Sequence, residues 1–519
     1  MTVADAIAAA LRDAGVRHWF GVPGGGSSLD LIDAAQRHGL RFVLTATETA
    51  AAIAAIAQAE IAGVPGVCLT GLGPGAASVV NGAACALLER APMILITDAH
   101  PASAAGCPHQ RIDQRALLAP AVKWSAELSA ADAAATISEA IARAMTSPRG
   151  PVHLDCPADI AAAPAESPAD RSRSTLGSPP SEPCTADGRL DGRRFRRPLL
   201  VAGLGARPHA QAIRAFARSH RLPAMVTYKA KGVVPDRDAW FAGVFTNGAL
   251  EQDIVDDADL LITVGLDRVE LLPRPWSPRQ AIVEVGGDVP AGLRRVADAL
   301  APSDWDFDAL QRTMQRQRFQ LASTAGAESP SARDALTPDR VVRLASTAFP
   351  SARVTVDAGA HMFPATLLWP VEEPGGMLIS NGLSTMGFAL PAAVGAALIE
   401  PSRPVVALTG DGGLLMCAGE LATVAREALR VTIVVFDDRS LSLIDVKQRH
   451  RRFARDGVGV EGVAWDALAR AFGLTAFAAA TAPDLEAALA AARSADGPAL
   501  IDARIDPAPY PEMLRLIRG

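Results

Sequence analysis

The sequence predicts an α/β protein of three Rossmann-like, doubly wound parallel-sheet domains. Its 519 residues allow three or four domains, since a domain averages about 150 residues. Short apolar runs alternate with alanine-rich helical runs, a pattern typical of parallel strands with helices on both faces. Because 49% of the residues are hydrophobic and only 20% are charged, the chain can build several large cores.

The first domain is predicted over residues 1–164, where the alternation is clearest. Apolar runs predict strands at 18–21, 41–45, 66–70, 93–97 and 152–155. Helical patterns lie between them at 49–61, 77–90 and 131–145. This order of elements indicates a parallel sheet covered on both faces.

Two further domains follow a change in composition. Residues 165–197 are rich in Pro, Ser, Gly and Arg and predict an exposed linker. The middle domain is predicted over 198–325, with strands at 199–202 and 260–264. The third domain is predicted over 337–519, with strands at 354–357, 405–409, 431–436 and 499–502 and helices at 420–427, 465–472 and 484–492. The first and third domains share size and plan, so we expect paralogous halves.

Composition excludes several classes of protein. A formal net charge of -6 and an isoelectric point near 5.9 argue against a nucleic-acid-binding protein. The cysteines form no Cys-x-x-Cys pair, and most lie in apolar runs, as Cys68 does. The amino terminus has no basic start followed by an apolar run, so no signal peptide is predicted. We therefore expect a cytoplasmic location.

Residues 61–88 carry no charge and are numerous enough to span a bilayer. They include residues that would interrupt a membrane helix: Pro65, Gly71, Gly73, Pro74, Gly75 and Asn81. We expect a buried strand, a glycine turn and a buried helix, with no membrane partner.

The strongest local motif is the run Gly410, Asp411, Gly412 and Gly413 directly after strand 405–409. Glycines at a strand end let backbone N–H groups approach a phosphate, and the next helix adds its dipole. Asp411 stands where a carboxylate can hold a hard cation that bridges two phosphates. A plain turn is the alternative for such a run taken alone.

A second acidic residue follows the next strand of the predicted third domain. Strand 431–436 leads into Asp438, and neighbouring parallel strands end side by side, so Asp438 can supply a second oxygen ligand. A backbone carbonyl near Ser440 can supply a third. This set of oxygen ligands suits octahedral Mg²⁺.

The glycine run and Asp438 together resemble the thiamine diphosphate signature, in which Gly-Asp-Gly and a later Asn bind the diphosphate through Mg²⁺. The chain is similar in this respect to the thiamine diphosphate-dependent decarboxylases and carboligases, among them acetohydroxyacid synthase, pyruvate decarboxylase and benzaldehyde lyase. The resemblance extends over nearly the whole chain. It implies a pyrimidine-binding first domain, a middle domain and a diphosphate-binding third domain. This chain has Asp438 where the family usually has Asn, which makes the site more anionic.

Two segments of the third domain match cofactor contacts of the family. The resemblance makes Met386 the bulky residue that holds the cofactor in its bent conformation, and gives the backbone of Ser384 a contact with the 4′-amino group. His361 matches a histidine that touches the diphosphate in acetohydroxyacid synthase-like members. As bare sequence, Met386 is core packing and His361 is a structural histidine.

The first domain supplies the expected catalytic acid, Glu48. From the residues alone it is an ordinary glutamate at a helix start. The family has its essential glutamate at this strand end, usually after His, where this chain has Thr47. In that role Glu48 donates to the pyrimidine N1′. Its carboxyl then needs a raised pKa, which apolar neighbours such as Ala46, Ala50 and Ile53 favour.

Other segments of the first domain resemble walls of the active site. Gly73 lies in a run similar to the Gly-Pro-Gly turn of the family, and Gln110 matches its active-site glutamine. Gly25 and Gly26 stand where benzaldehyde lyase has a catalytic His. The adjacent His pair of pyruvate decarboxylase is absent as well. Without an obvious protein acid for the final protonation of a decarboxylase, the resemblance favours carboligation.

Residues 441–444 follow the metal-binding segment and are expected to line the substrate side, with Leu443 against the cofactor. Lys447 can pair with a substrate carboxylate. A solvated helix lysine is the alternative.

The middle domain contains a partial dinucleotide fingerprint, Gly203 and Gly205 followed by Pro208 in place of the third glycine. Acetohydroxyacid synthases hold FAD in this domain. FAD is therefore possible but not expected, and a structural domain with an empty nucleotide site is the plain interpretation.

The expected activity is making or breaking a C–C bond next to a carbonyl, as in acetolactate synthase-like carboligation of a 2-oxo acid. The alternatives are a simple 2-oxo acid decarboxylase that releases an aldehyde, and a non-catalytic cofactor-binding relative. The expected cofactors are thiamine diphosphate and Mg²⁺, and the expected substrates are small 2-oxo acids or aldehydes. Because Glu48 and Asp411 lie in different domains and the family forms its site between subunits, we expect a homodimer or homotetramer.

Overall fold

The computed structural model describes residues 1–104, 106, 108–165, 186–187, 194–271, 275–323, 335–460 and 462–519. Within these residues it contains three six-stranded sheets with helices packed against them, which confirms the α/β class with three parallel-sheet units. Most of the predicted linker, 166–185 and 188–193, lies outside the described residues.

The first sheet has the strand order β2-β1-β3-β4-β6-β5 and is parallel throughout. Its strands are β1 (His18–Val22), β2 (Arg41–Leu44), β3 (Gly66–Thr70), β4 (Met93–Ala99), β5 (Ser125–Glu127) and β6 (Pro151–Pro157). The helices of this part are α1 (Val3–Asp13), α2 (Ser27–Arg37), α3 (Glu48–Ala62), α4 (Pro74–Ser78), α5 (Val80–Leu88), α6 (Gln114–Leu118), α7 (Ala133–Met145) and α8 (Ala158–Ala161).

The helix predicted over 77–90 differs from the observed one. It begins earlier, at Pro74, because proline suits the first helical position, where its missing N–H is not needed. It is also divided at Val79 into α4 and α5. The uncharged stretch is otherwise as expected, a buried strand, a glycine turn and helix. None of the described helices is long and apolar enough to cross a membrane.

The middle sheet has the order β10-β9-β8-β11-β12-β7, in which only β7 is antiparallel among the described strands. Its strands are β7 (Ala186–Asp187), β8 (Pro198–Ala202), β9 (Ala224–Val226), β10 (Phe241–Val244), β11 (Leu260–Val264) and β12 (Ala281–Val285). The helices are α9 (Ala210–His220), α10 (Gln252–Asp256), α11 (Val289–Ala297) and α12 (Phe307–Ser323). Strand β7 comes from the predicted linker, so this part of the linker pairs with the sheet edge.

The third sheet has the order β14-β13-β15-β16-β18-β17 and is parallel. Its strands are β13 (Arg353–Val356), β14 (Met377–Ile379), β15 (Val405–Gly410), β16 (Val431–Asp437), β17 (Thr475–Ala479) and β18 (Ala499–Arg504). The helices are α13 (Pro338–Ala348), α14 (Met362–Leu368), α15 (Ala389–Ile399), α16 (Asp411–Cys417), α17 (Glu420–Arg426), α18 (Ser442–His450), α19 (Trp465–Ala471), α20 (Ala482–Ser494) and α21 (Tyr510–Arg518). Its strands follow the same spatial order as those of the first sheet, which supports the expectation of related halves.

The outer two units pack on each other through α3 and α15. Both helices are almost entirely buried, as expected for helices that are apolar on every side. A Cβ on Gly395 would lie 2.4 Å from the carbonyl oxygen of Ala54, so glycine is needed for this close approach. In each outer sheet the first strand lies between the second and third. The crevice at the carboxyl ends of these strands is where open α/β sheets bind ligands.

Candidate active site

The two predicted metal ligands, Asp411 and Asp438, lie side by side after β15 and β16. The backbone N–H of Ser440 donates to both carboxylates, at 3.2 Å to Asp411 Oδ2 and 3.1 Å to Asp438 Oδ1. Ser442 Oγ donates to Asp438 Oδ2 at 2.6 Å, and Gly412 N donates to Asp411 Oδ1 at 2.6 Å. The structure thus brings the two predicted carboxylate ligands to one backbone N–H, that of Ser440.

Burial makes this pair of carboxylates electrostatically costly. Burial, with a further contribution from the charge of Asp438, raises the pKa of Asp411 to about 7. Burial likewise raises the pKa of Asp438 to about 6. A bound cation would relieve both effects.

The donor set fits Mg²⁺ bound together with a diphosphate. In the described part of the chain, no group of three or more acidic, histidine or cysteine side chains could hold a metal ion. Mg²⁺ is commonly held by one or two carboxylates, with phosphate and water oxygens completing the octahedron. Asp411 and Asp438 match that requirement.

His361 has the properties expected of a neutral diphosphate contact. Its side chain is buried and stacks on the ring of Phe436 with centroids 5.2 Å apart. Burial lowers its pKa to about 3, so the ring is uncharged near neutral pH. Its Nε2 is buried and has no hydrogen-bond partner in the structure. A buried polar atom without a partner is costly, so a ligand oxygen at this position would stabilise the site.

The glycine run continues directly into α16, which begins at Asp411, and side chains crowd two of its positions. A Cβ on Gly412 would lie 2.4 Å from Leu441 Cδ2, and a Cβ on Gly413 would lie 2.5 Å from Asp357 Oδ2. Asp357 itself is buried and was not identified from the sequence. Its carboxylate accepts from Thr409 Oγ1 at 2.9 Å and from the N–H of Gly387 at 3.1 Å. It therefore ties the glycine run to the segment that carries Met386.

The pyrimidine-side residues lie on the loop after β14. Ser384 is exposed with φ of 53°, a left-handed conformation that favours glycine. Its Oγ donates to the carbonyl of Asn381 at 3.1 Å, which stabilises this turn. Met386 is half-buried, and its Cε lies 3.5 Å from the position of a Cβ on Gly412. Met386 is thus adjacent to the glycine run, as its expected role requires.

Glu48 is the first residue of α3, and hydrogen bonds of the two residues before it hold the start of this helix in place. Thr47 is the helix N-cap, its Oγ1 accepting from Ala50 N at 3.2 Å. Thr47, which stands where the family usually has His, therefore serves as the helix cap. Glu420 Oε1 accepts from the N–H groups of Ala46 and Thr47 at 2.9 and 3.1 Å.

The apolar shielding expected for Glu48 is incomplete within one chain. Ala50 and Ile53 are buried, but Ala46 is exposed and Glu48 is only half-buried. The side chain lies near the glycine turn, with its Oε1 3.4 Å from the position of a Cβ on Gly75.

Gly73 and Gln110 contact each other, and a residue missed by the sequence analysis holds them. Both have left-handed backbones, with φ of 59° and 64°, and a Cβ on Gly73 would lie 2.4 Å from Gln110 O. Gln114 is buried, and its Oε1 accepts from Gly73 N at 3.2 Å. Its Nε2 donates to Asp98 O at 2.8 Å and to Asp155 Oδ1 at 2.5 Å. Gln110 itself is exposed.

Asp98 is a second buried residue that the sequence analysis missed. Its Oδ1 accepts from Ser27 Oγ, Ser28 N and Ser28 Oγ, each at 2.7 Å. A Cβ on Gly24 would lie 2.1 Å from Asp98 Oδ2. Asp98 therefore fixes the glycine loop that leads to Gly25 and Gly26. A carboxylate near the end of a buried, mostly apolar strand was the available signal.

The substrate-side segment is only partly exposed. Leu443 on α18 is half-buried and packs against the core, whereas Ile444 and Lys447 are exposed. Gln448 Nε2 donates to Asp456 O at 2.8 Å, which braces the following loop.

The glycine turn of the middle unit is filled by the unit's own residues. Leu204 N donates to Glu270 Oε2 at 2.9 Å, and a Cβ on Gly203 would lie 2.5 Å from Leu266 Cα. Burial raises the pKa of Glu270 to about 7. The Glu270 carboxylate therefore already accepts from an N–H group to which a nucleotide phosphate would have to bind. This favours the interpretation of the middle unit as a structural domain.

The candidate residues form two groups, at the carboxyl edges of the first and third sheets. Contacts between the two edges pass through other residues, such as Glu420 with Thr47 and Asn81 Nδ2 with Thr385 Oγ1 at 3.0 Å. Exposed apolar side chains occur on both units: Leu44, Leu117, Leu415, Met416 and Ile444.

Comparison with known proteins agrees with this arrangement. Three family models match: "Thiamine pyrophosphate enzyme, N-terminal TPP binding domain" over residues 1–117, its "central domain" over 193–300 and its "C-terminal TPP binding domain" over 357–503. The catabolic acetolactate synthase of Raoultella terrigena is 30% identical over 97% of this chain and 95% of its own length. The large subunit of acetolactate synthase isozyme 1 of Escherichia coli is 30% identical over 97% and 94%. A probable 2-ketoarginine decarboxylase of Pseudomonas aeruginosa is 30% identical over 82% and 80%.

Proposed function

Because the chain belongs to the thiamine pyrophosphate enzyme family, we propose that it is a thiamine diphosphate-dependent carboligase of 2-oxo acids, similar to acetolactate synthase. The observation that carries this proposal is the carboxylate pair of the buried Asp411 and the half-buried Asp438, bridged by Ser440 N at the ends of neighbouring strands. Similarity to acetolactate synthases over nearly the whole chain supports the direction of the reaction.

We assign the cofactor and metal contacts residue by residue. Asp411, Asp438 and the carbonyl of Ser440 hold Mg²⁺, and His361 with Gly410, Gly412 and Gly413 contacts the diphosphate. The orphan Nε2 of His361 and the mutual repulsion of the carboxylates support these roles.

We assign Ser384, Met386, Leu443 and Gly73 to the remainder of the cofactor. Met386 supports the bent conformation from the side of the glycine run, and Ser384 contributes its backbone. Gly73 keeps the turn opposite them narrow, because Gln110 leaves no room for a Cβ there.

The chemistry of the residues follows from their positions. Bound thiamine diphosphate supplies a carbon nucleophile and an electron sink for the bond next to the 2-oxo group. Glu48 would hydrogen-bond the pyrimidine N1′ of the bound cofactor. The amide of Gln110, which is exposed in the single chain, would donate to a substrate oxygen.

We propose that two chains complete each site, in a homodimer or homotetramer. Glu48 is only half-buried in the single chain, although its role requires shielding. The exposed Leu44, Leu117, Leu415 and Met416 provide an apolar surface for a second copy. Sedimentation should show a dimer or larger assembly; a monomer with full turnover would contradict this arrangement.

We place the enzyme in a reducing compartment, the cytoplasm. Among the described cysteines, Cys68, Cys85, Cys156 and Cys417 are buried and free. Burial raises the pKa of Cys156 to about 12, which makes the thiol unreactive.

The alternative is a simple 2-oxo acid decarboxylase, which the similarity to the probable 2-ketoarginine decarboxylase favours. Incubation with pyruvate, thiamine diphosphate and Mg²⁺ separates the two, because a carboligase forms acetolactate and a decarboxylase forms acetaldehyde. A panel of other 2-oxo acids extends the assay if pyruvate is not consumed.

The mechanism is tested by Glu48→Ala. We expect it to retain the fold and cofactor binding but to lose at least about a hundredfold in turnover, the usual contribution of a positioned proton donor. The exposed Glu139→Ala on α7 is the matched control and should retain wild-type turnover. Unchanged turnover in Glu48→Ala would refute the mechanism. Absence of thiamine diphosphate binding by the wild type would instead support a non-catalytic relative.

A further inference from the structure

A buried lysine of the middle unit lies where all three units meet. Lys229 Nζ is 2.5 Å from Glu60 Oε1 on α3 and 3.1 Å from Glu89 Oε2 after α5. It also donates to the carbonyl of Ile379 in β14 at 3.1 Å. The side chains of Lys229, Glu60 and Glu89 are only 3%, 5% and 1% exposed. One ammonium group therefore contacts the first and third units at once.

Glu89 uses its other oxygen to hold the loop after β14. Its Oε1 accepts from Ser380 Oγ at 3.1 Å, from Gly382 N at 2.9 Å and from Leu383 N at 3.4 Å. A Cβ on Gly382 would lie 2.5 Å from the carbonyl oxygen of Leu88, so the loop is seated directly on the end of α5. The same loop carries Ser384 and Met386.

Each buried charge in this cluster is stabilised by an opposite charge beside it. Burial opposes the charged form of Lys229, but Glu60 and Glu89 outweigh it and raise its pKa. Glu60 has a second cationic partner, because Arg207 Nη1 lies 3.0 Å from its Oε2. Lys229 is the cation that the structure places beside Glu89. Without Lys229, Glu89 would be a buried carboxylate that must take up a proton or leave its position.

We propose that Lys229 and Glu89 are positioning residues for the cofactor, holding the loop of residues 380–386 in the conformation that receives the pyrimidine. This inference rests on the proposed function for the identity of the ligand. It gives the middle unit a role in the active site through Lys229, although its own glycine turn is filled.

The chain contains a matched control for this proposal. Lys231 is also buried in the same segment, with Nζ 2.8 Å from Asp236 Oδ1 and side-chain exposures of 1% and 3%. Asp236 Oδ2 accepts from Val371 N at 2.7 Å, so this pair also joins the middle and third units. The hydrogen bonds and ion pair found for Lys231 and Asp236 among the described residues are with each other and with Val371, not with residues 380–386. Loss of either lysine should lower thermal stability, but only loss of Lys229 should act on the loop.

The first readout is hydrogen exchange in the cofactor-free full-length protein. Peptides covering residues 380–386 should exchange at least about tenfold faster in Lys229→Met than in wild type, because the N–H groups of Gly382 and Leu383 lose a fixed acceptor. Lys231→Met should leave these peptides unchanged. Equal acceleration in both variants, or none in Lys229→Met, would overturn the proposal.

The second readout is titration with thiamine diphosphate at saturating Mg²⁺. We expect Lys229→Met to raise the Kd at least about tenfold, and Lys231→Met to change it less than about twofold. Adding Glu89→Gln to Lys229→Met should recover part of the loss, because no buried charge is then unpaired and the amide oxygen still accepts from Gly382. No recovery in the double variant would contradict the assigned coupling. If Lys229→Met does not fold, Glu89→Ala alone carries the test, because it removes the acceptor of Gly382 N and Leu383 N, with Asp236→Ala as its control.

These readouts separate this inference from the proposed function. Exchange in the cofactor-free protein reports on the loop even if the wild type binds no thiamine diphosphate. In that case the proposed function fails while the contact between Lys229, Glu89 and the loop is still decided.

Discussion

Replacing Asp438 with Asn removes the half-buried carboxylate whose charge acts on the buried Asp411, while keeping the shape of the side chain. Asn can still accept from Ser440 N and donate to Ser442 Oγ, the two partners that Asp438 has now. The pKa of Asp438 is raised from 3.8 to about 6. At about 1.4 kcal/mol per pH unit, this corresponds to about 3 kcal/mol of lost stability once the group is ionised.

The sign of the pH dependence follows from proton binding. A carboxyl with a raised pKa binds more protons in the folded than in the unfolded state, so stability falls as pH rises from about 4 through about 6. The Asp438→Asn variant does not lose this stability. It also lowers the pKa of Asp411, which the charge of Asp438 raises in the wild type. Without cofactor and metal, we expect the variant to gain stability over wild type as pH rises through this window, by about 3 kcal/mol at most above pH 7.

Calorimetric unfolding of the cofactor-free protein between pH 4.5 and about 8 measures this difference. Asp267→Asn is the matched control, since Arg90 Nε lies 2.8 Å from Asp267 Oδ2 and the hydrogen bonds from Arg90 keep the pKa of Asp267 below its usual value despite burial. The control should lose stability rather than gain it. If Asp438→Asn is no more stable than wild type above pH 7, the Asp438 carboxylate carries no cost of burial and the electrostatic reasoning for this position is wrong.

Three further predictions address single positions. His361→Phe should keep the stability of the cofactor-free protein within about 1 kcal/mol, because Nε2 has no partner to lose, yet weaken thiamine diphosphate binding about tenfold by calorimetric titration. Gly413→Ala should destabilise the chain by about 1–3 kcal/mol in urea unfolding, because its Cβ would meet Asp357 Oδ2 at 2.5 Å; wild-type stability would disprove this packing. Because the pKa of Glu270 is raised from 4.5 to about 7, the folded state binds more protons than the unfolded state between these values, and the free energy of unfolding should fall as pH rises through them. A pH-dependent gain of stability in Glu270→Gln, measured by thermal unfolding, checks this, and a constant difference would contradict it.

The sequence predicted the elements that are apolar and short much better than those with mixed composition. Strands 66–70 and 260–264 are found with the predicted bounds, since a strand buried on both faces is a nearly continuous apolar run. Helix α15 was not predicted, although it forms the main contact between the outer units. Its residues are apolar on all sides, and such a run shows no helical period.

Within the candidate site, residues at strand ends were predictable and residues that support them were not. Asp411 and Asp438 follow neighbouring strands, so their proximity follows from the parallel sheet alone. Gln114, Asp98 and Asp357 act through buried hydrogen bonds to distant segments. Apart from the position of Asp98 near the end of a buried strand, nothing in the local sequence distinguishes them from other polar residues.

The sequence by itself determined the class of fold and the chemistry at the strand ends, because periodicity and the spacing of Gly410, Asp411 and Asp438 are local properties of the chain. Only the tertiary structure decided how Lys229 joins Glu60 and Glu89, and that Glu270 fills the glycine turn of the middle unit. These contacts join residues far apart in the chain, and their energies depend on burial. Burial is a property of the packed units and cannot be read from any one segment.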